Sequence, residues 1–256
     1  MSDHGLHASA LPAPSAAVLR RGGLLLLLLA AALAVLGQFT SLDTALADRV
    51  FDAALQRFPL RDNWFASEFM HRWVKLPLLA LGTLVVLAAL VQPLLKRPRL
   101  SPADGWRLRI AAALVVLVPL CIALLKRYSA AHCPWSLERY GGNAPYVRLL
   151  DALPAGFEPG GCFPAGHASS ALWLAGLCVW WLPRRPRLAA AVFAAGLAAG
   201  GALGWVQQLR GAHFLSHTLW SMWIAAALVW AVLCGVSLIQ ALRSRAAAPL
   251  PKTTLA

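Results

Sequence analysis

The stretch RGAHFLSHTLWSMWIAAALVWAVLCGVSLIQAL, Arg210 to Leu242, joins a cluster of one arginine and two histidines to an apolar run that holds no charged residue. From Phe214 onward the run exceeds the roughly 20 residues that an α-helix needs to cross about 30 Å of hydrocarbon. It reads as a membrane span with titratable groups at its mouth. Working outward, further apolar runs lie at Leu19–Phe39, Leu76–Leu95, Leu108–Leu125, Ala168–Leu182 and Leu188–Val206, so six spans are expected. The composition agrees: 59% hydrophobic residues, 13% charged residues and a mean hydropathy of +0.64 do not suit a soluble domain of 256 residues. The expected architecture is all-α and polytopic, with six transmembrane helices in one domain over residues 19–242. Disordered cytoplasmic tails are expected at 1–18 and 243–256, and outward loops at 40–75 and 126–166.

Orientation follows from the basic residues, because short cytoplasmic loops retain Lys and Arg. Arg20, Arg21, Lys96, Arg97, Arg99, Arg107, Arg109, Arg184, Arg185, Arg187, Arg243, Arg245 and Lys252 all fall on one side, against only Asp3 and Asp104. The other side is nearly balanced. Both termini are therefore expected in the cytoplasm, and the formal charge of +13 reads as a topology signal and an attraction to anionic headgroups. Nucleic-acid binding is excluded as a reading, since no soluble basic domain exists to carry it. Ala45-Leu46-Ala47 has the small-residue look of a signal-peptidase site, but it lies well beyond a full-length apolar run, so the first helix is expected to stay uncleaved. In the first outward loop, Leu42, Leu46, Val50, Ala54 and Phe58 fall near a helical period and predict an amphipathic interfacial helix.

Three clusters gather on the outward side: Lys126 with Cys133-Pro134, then Phe163-Pro164-Ala165-Gly166-His167, then Arg210-Gly211-Ala212-His213 with His217. Ionisable groups at membrane depth are costly and tend to mark sites. Pro164 suits a first helical turn, Gly166 permits close approach of a ligand to the backbone, and free amides at a helix start attract anions. His167 beside such an anion is placed to donate a proton to a leaving oxygen. His213 and His217, four residues apart, share a helical face, so one can attack phosphorus while the other orients it. Arg210 offers a bidentate phosphate contact, and Arg127 is a further candidate beside Lys126. The same His-x-x-x-His spacing also suits zinc, although the glutamate of the zincin signature is missing.

Read together, these residues resemble the membrane-bound type 2 phosphatidic acid phosphatases, relatives of the vanadium haloperoxidases. That family carries Lys-x6-Arg-Pro, Pro-Ser-Gly-His and Ser-Arg-x5-His-x3-Asp in order. Here Lys126 is followed by Cys133-Pro134, the second signature reads Pro164-Ala165-Gly166-His167, and the third reads Val206-Gln207, five residues, His213, three residues, His217. The resemblance implies that His213 is the nucleophile forming a phosphohistidine, that His167 protonates the leaving alcohol and that Lys126 and Gly166 bind phosphoryl oxygens. Arg210 then stands in for the missing motif arginines. His217 takes the place of the orienting aspartate, with Glu68, Glu138 or Asp151 as sources of the absent negative charge.

The activity so implied is metal-independent hydrolysis of a phosphate monoester or pyrophosphate on a membrane lipid, in a bacterial inner membrane and without a cofactor. Two alternatives stay open: a lipid phosphotransferase using the same phosphohistidine, and a non-hydrolytic protein of this fold whose outward histidines bind a metal or haem. Cys121, Cys178 and Cys234 lie inside spans, where a thiol behaves as a small apolar group. Cys133 and Cys162 face outward, and an oxidising periplasm predicts a disulfide between them.

Overall fold

In the computed structural model, which describes residues 13–95 and 100–246, every regular element is helical. Most of both expected tails, together with Lys96, Arg97, Arg99 and Lys252 of the charge pattern, lies outside the described residues. The main helices are α1 (Ala16–Phe39), α2 (Leu42–Asp48), α3 (Lys75–Val91), α4 (Pro102–Arg127), α5 (Ser169–Leu172), α6 (Pro186–Leu209) and α7 (Leu215–Ala246). Ser15 accepts from the amide of Val18 at the start of α1, and Ser101 does the same for Asp104 at the start of α4, in each case satisfying an orphan donor of the first turn.

Five helical stretches are long and apolar enough to cross a membrane: 16–39, 65–94, 102–127, 186–209 and 215–246. The expected fourth span is a shorter apolar segment, Ser169–Trp180. Only its first four residues are α-helical, and Trp173–Trp180 is wound as a 3₁₀ helix. At 2.0 Å per residue against 1.5 Å, that tighter winding carries the segment roughly 22 Å, further than an α-helix of the same length.

The first outward loop also differs from expectation. Its helix covers only Leu42–Asp48, because Asp52 Oδ1 accepts from the amides of Ala54 and Leu55 at 3.0 and 2.9 Å and turns the chain instead. Helical structure resumes early, in a π-helical segment Phe65–Trp73 that runs straight into α3.

The core lies where α4, α5, α6 and α7 meet. Ile110, Leu114, Val118 and Ile122, four residues apart along α4, form a buried stripe against Leu172, Trp173 and Val179 and against Ile224, Ala225 and Val229 of α7. Lipid tails are as apolar as leucine, so close packing rather than the hydrophobic effect must hold these helices together. Gly196 shows how: a methyl group there would run into the backbone of Ala175. Outside this bundle, α1 turns its leucines to lipid and docks on α7 through two indole donors. Trp223 Nε1 and Trp230 Nε1 each donate at 2.8 Å, to the carbonyls of Leu26 and Leu19.

A second, smaller core lies beside α2 and the start of α7, where Ala47, Phe58, Leu137, Tyr140, Ala144 and Phe214 pack together. An ion pair between Arg139 and Asp48, with nitrogen to oxygen 2.6 Å, fastens the outer loop to α2 beside it.

Candidate active site

The C-terminal end of α4 places Lys126, half-buried, beside the turn that leads into α5. A side chain at position 166 would stand 3.5 Å from Lys126 Cδ and 3.8 Å from its Nζ, so glycine there leaves the ammonium next to bare backbone. The amides of Ser169 and Ser170 already donate to the carbonyls of Gly166 and His167, and that of Ala165 donates to the His217 carbonyl at 3.1 Å. The amides of Gly166, His167 and Ala168 have no such partner among the described residues. Ser221 Oγ bonds the carbonyls of both Ala165 and His217, which ties the second cluster to the third.

His167 is buried, and its Nε2 lies 3.2 Å from the carbonyl of Met70. A carbonyl only accepts, so Nε2 carries the hydrogen and Nδ1 is left to exchange a proton. The ring stacks on His71, with centroids 4.3 Å apart and planes 18° from parallel. Burial, followed by the charge of His71, pushes His167 down to about 4, while the Met70 contact opposes the shift.

Gly211, at φ +73°, makes the tight turn that sets His213 in front of α7. A left-handed backbone of this kind suits glycine, and a Cβ there would strike the ring of Phe58. His213 is 6% exposed, and burial holds it well below its ordinary value, reinforced by the charges of His217, Lys126 and His167 and opposed by the Cys162 carbonyl. Burial therefore favours the neutral imidazole at pH 7. His217 packs edge-on to it at 5.7 Å between centroids, walled by Phe163 and Phe214, and among the described residues its buried Nδ1 has no hydrogen-bond partner.

Arg210 reaches back into the site: its guanidinium donates to Gln207 Oε1 at 2.9 Å and to the carbonyl of Arg61 at 3.0 Å, and lies over Trp135. Gln207 is 1% exposed and lies beside His71, and among the described residues its Nε2 meets no ideal hydrogen-bond geometry. Arg127 is exposed at the end of α4. Cys133 and Cys162 form a disulfide with Cα atoms 5.3 Å apart. Their sulfurs and a nitrogen of His213 lie within 4.8 Å of one another, but a disulfide uses up both thiolates that a metal would require.

Comparison with protein families matches residues 107–240 to the PAP2 superfamily, a stretch that holds all three clusters. The chain belongs to the PAP2 superfamily. Neither the comparison with curated proteins nor that with solved structures gave a match. PAP2 proteins carry out phosphatase-type phosphoryl transfer on lipid or related substrates, and this PAP2 chain is a multi-pass membrane protein.

Sequence reasoning missed one residue packed against the third cluster. Asp43 of α2 is 5% exposed and accepts from the Ser216 amide at 2.9 Å and from Ser216 Oγ at 2.5 Å, at the N-terminus of the helix that carries His217. Burial raises its carboxyl above the usual range, against the lowering by Ser216. Of the acids considered from the sequence, Glu68 pairs with Arg72, and Asp151 accepts from Gln38 and from the Arg148 amide. Only a long-range contact reveals Asp43; nothing in its local spacing marks it.

Proposed function

We propose that this chain hydrolyses a phosphate monoester or pyrophosphate on a membrane lipid through a phosphohistidine on His213. The observation that carries the reading is a groove of about 560 Å³ between α3 and α4, lined by Leu79, Val86, Leu87, Val115, Val116 and Trp173, which ends at Gly166 and Lys75. Its apolar length suits a hydrocarbon tail, and its polar end lies beside Lys126, so one molecule spans both when its phosphate is attached to a lipid.

In this reading Lys126 and the free amides around Gly166 take the phosphoryl oxygens, and Arg210 approaches through Gln207. Nε2 of His213 attacks phosphorus, the bond to the lipid oxygen breaks, and His167 delivers a proton to that oxygen from Nδ1. His167 is neutral in the free protein at pH 7. An anionic phosphate beside it raises its affinity for a proton, so the acid forms as substrate binds. Water then attacks the phosphohistidine and releases inorganic phosphate. No cofactor enters the scheme. His217 backs the nucleophile, and the site faces the periplasm of a bacterial inner membrane with both termini cytoplasmic, in keeping with the placement of basic residues.

The test is phosphate release from phosphatidic acid, phosphatidylglycerol phosphate, a polyprenyl pyrophosphate and lipid A, each in mixed micelles with a chelator present. Vanadate-sensitive turnover of at least one is expected, and His213→Ala is expected to abolish it. Full activity in His213→Ala would overturn the assignment.

A further inference from the structure

The nitrogen of His213 that a triad would give to an aspartate faces sulfur instead. Nδ1 lies 3.5 Å from Sγ of Cys162, and Cys162 is fully buried in its disulfide with Cys133. His217, four residues on, has no hydrogen-bond partner for its own Nδ1 among the described residues. A disulfide sulfur has no hydrogen and can only accept. With that acceptor at Nδ1, the neutral ring carries its proton on Nδ1 and keeps a lone pair on Nε2, the form that attacks phosphorus. A thiol at the same place changes this, because S–H donates to Nδ1 and thereby places the ring proton on Nε2.

We propose that the Cys133–Cys162 disulfide is a redox-controlled positioning element for His213, holding the nucleophilic tautomer when oxidised and releasing it when reduced. The proposal rests on the reading of His213 as the nucleophile. The chemistry is ordinary thiol exchange with a dithiol reductant. Its thiolate attacks Sγ of Cys133, the more accessible of the two sulfurs, the S–S bond breaks, and Cys162 leaves as a thiolate that takes up a proton. The second thiolate of the reductant attacks the mixed disulfide, freeing Cys133 and closing the reductant into its own disulfide, so two electrons pass to the protein.

The full-length protein in detergent micelles is assayed on whichever lipid phosphate it turns over, before and after dithiothreitol, and again after re-oxidation. The expected result is a fall in kcat of about 10- to 100-fold, the scale of a misplaced catalytic group, with KM changed less than about twofold and full recovery on re-oxidation. A second comparison separates the tautomer from the loss of the tie. Cys133→Ala/Cys162→Ala and Cys133→Ala/Cys162→Ser both lack the bridge, but only serine donates to Nδ1. The alanine pair is expected to retain at least about fivefold more kcat, with equal thermal midpoints. Equal kcat in oxidised and reduced wild-type protein overturns the proposal while leaving the hydrolase reading intact. No turnover by the oxidised protein overturns the hydrolase reading itself.

Discussion

The α4–α7 half of the molecule and the α1–α3 half divide the work unequally. The first, which contains the family match, supplies Lys126, Gly166, His167, Arg210 and His213. The second supplies the groups that hold them. The Met70 carbonyl and the His71 ring fix His167, the Arg61 carbonyl anchors Arg210, and Asp43 caps the helix that follows His213. The supporting contacts in the second use backbone carbonyls, a ring and a carboxylate, groups that many local sequences can provide.

Lys126→Ala is the sharpest way to test the first half. Loss of one preorganised cation at a developing charge is expected to lower kcat/KM by about 10² to 10³-fold, with the thermal midpoint unchanged. A variant within threefold of wild type breaks the division, since the matched half would then lack a working phosphate contact.

The next effect couples both halves through His167. Its folded-state value near 4 lies below the unfolded value near 6.5, so its contribution to stability is fully present above pH 6.5 and is lost as pH falls towards 4. At 1.36 kcal/mol per unit the loss reaches about 3 kcal/mol. Thermal unfolding in micelles from pH 7.5 to 4 should show this slope, and His167→Gln should flatten it. An identical slope in the variant would assign acid sensitivity to other groups.

Asp43→Ala probes the second half directly. Removing the carboxylate strands the Ser216 amide and hydroxyl in a buried place, and about 2 kcal/mol of stability should go with it. Calorimetry of the micellar protein reads the change. A variant as stable as wild type would show that α2 is dispensable to α7.

The smallest expected effect is that of Gly166→Ala. Its methyl would make ordinary van der Waals contacts of 3.5 and 3.8 Å with Lys126, so stability should shift by less than about 0.5 kcal/mol. The methyl would occupy space beside the ammonium, and KM for the lipid phosphate should rise several-fold. An unchanged KM would mean that phosphate does not approach this backbone.

Particular elements show how far the sequence could be read. Spans at 19–39, 108–125, 188–206 and 214–242 were legible from predominantly apolar runs, and helices at 16–39, 102–127, 186–209 and 215–246 match them to within a few residues. The run at 168–182 was legible as apolar but not as 3₁₀, because winding depends on what the segment packs against. The run beginning at Leu76 concealed a helix that starts at Phe65, since polar residues at that end interrupt the apolar signal.

The sequence by itself determined that the chain crosses a membrane, and that Lys126, His167 and His213 are residue types that phosphoryl transfer can use. Those facts follow from hydropathy and from chemistry fixed at single positions. Tertiary structure alone decided which partners complete the site: Met70 and His71 on His167, Asp43 at the start of α7, Gln207 under Arg210, and a disulfide sulfur against His213. Each joins segments whose meeting depends on helix packing, and a periodic pattern records only which face a helix buries, not which residue of another helix it meets.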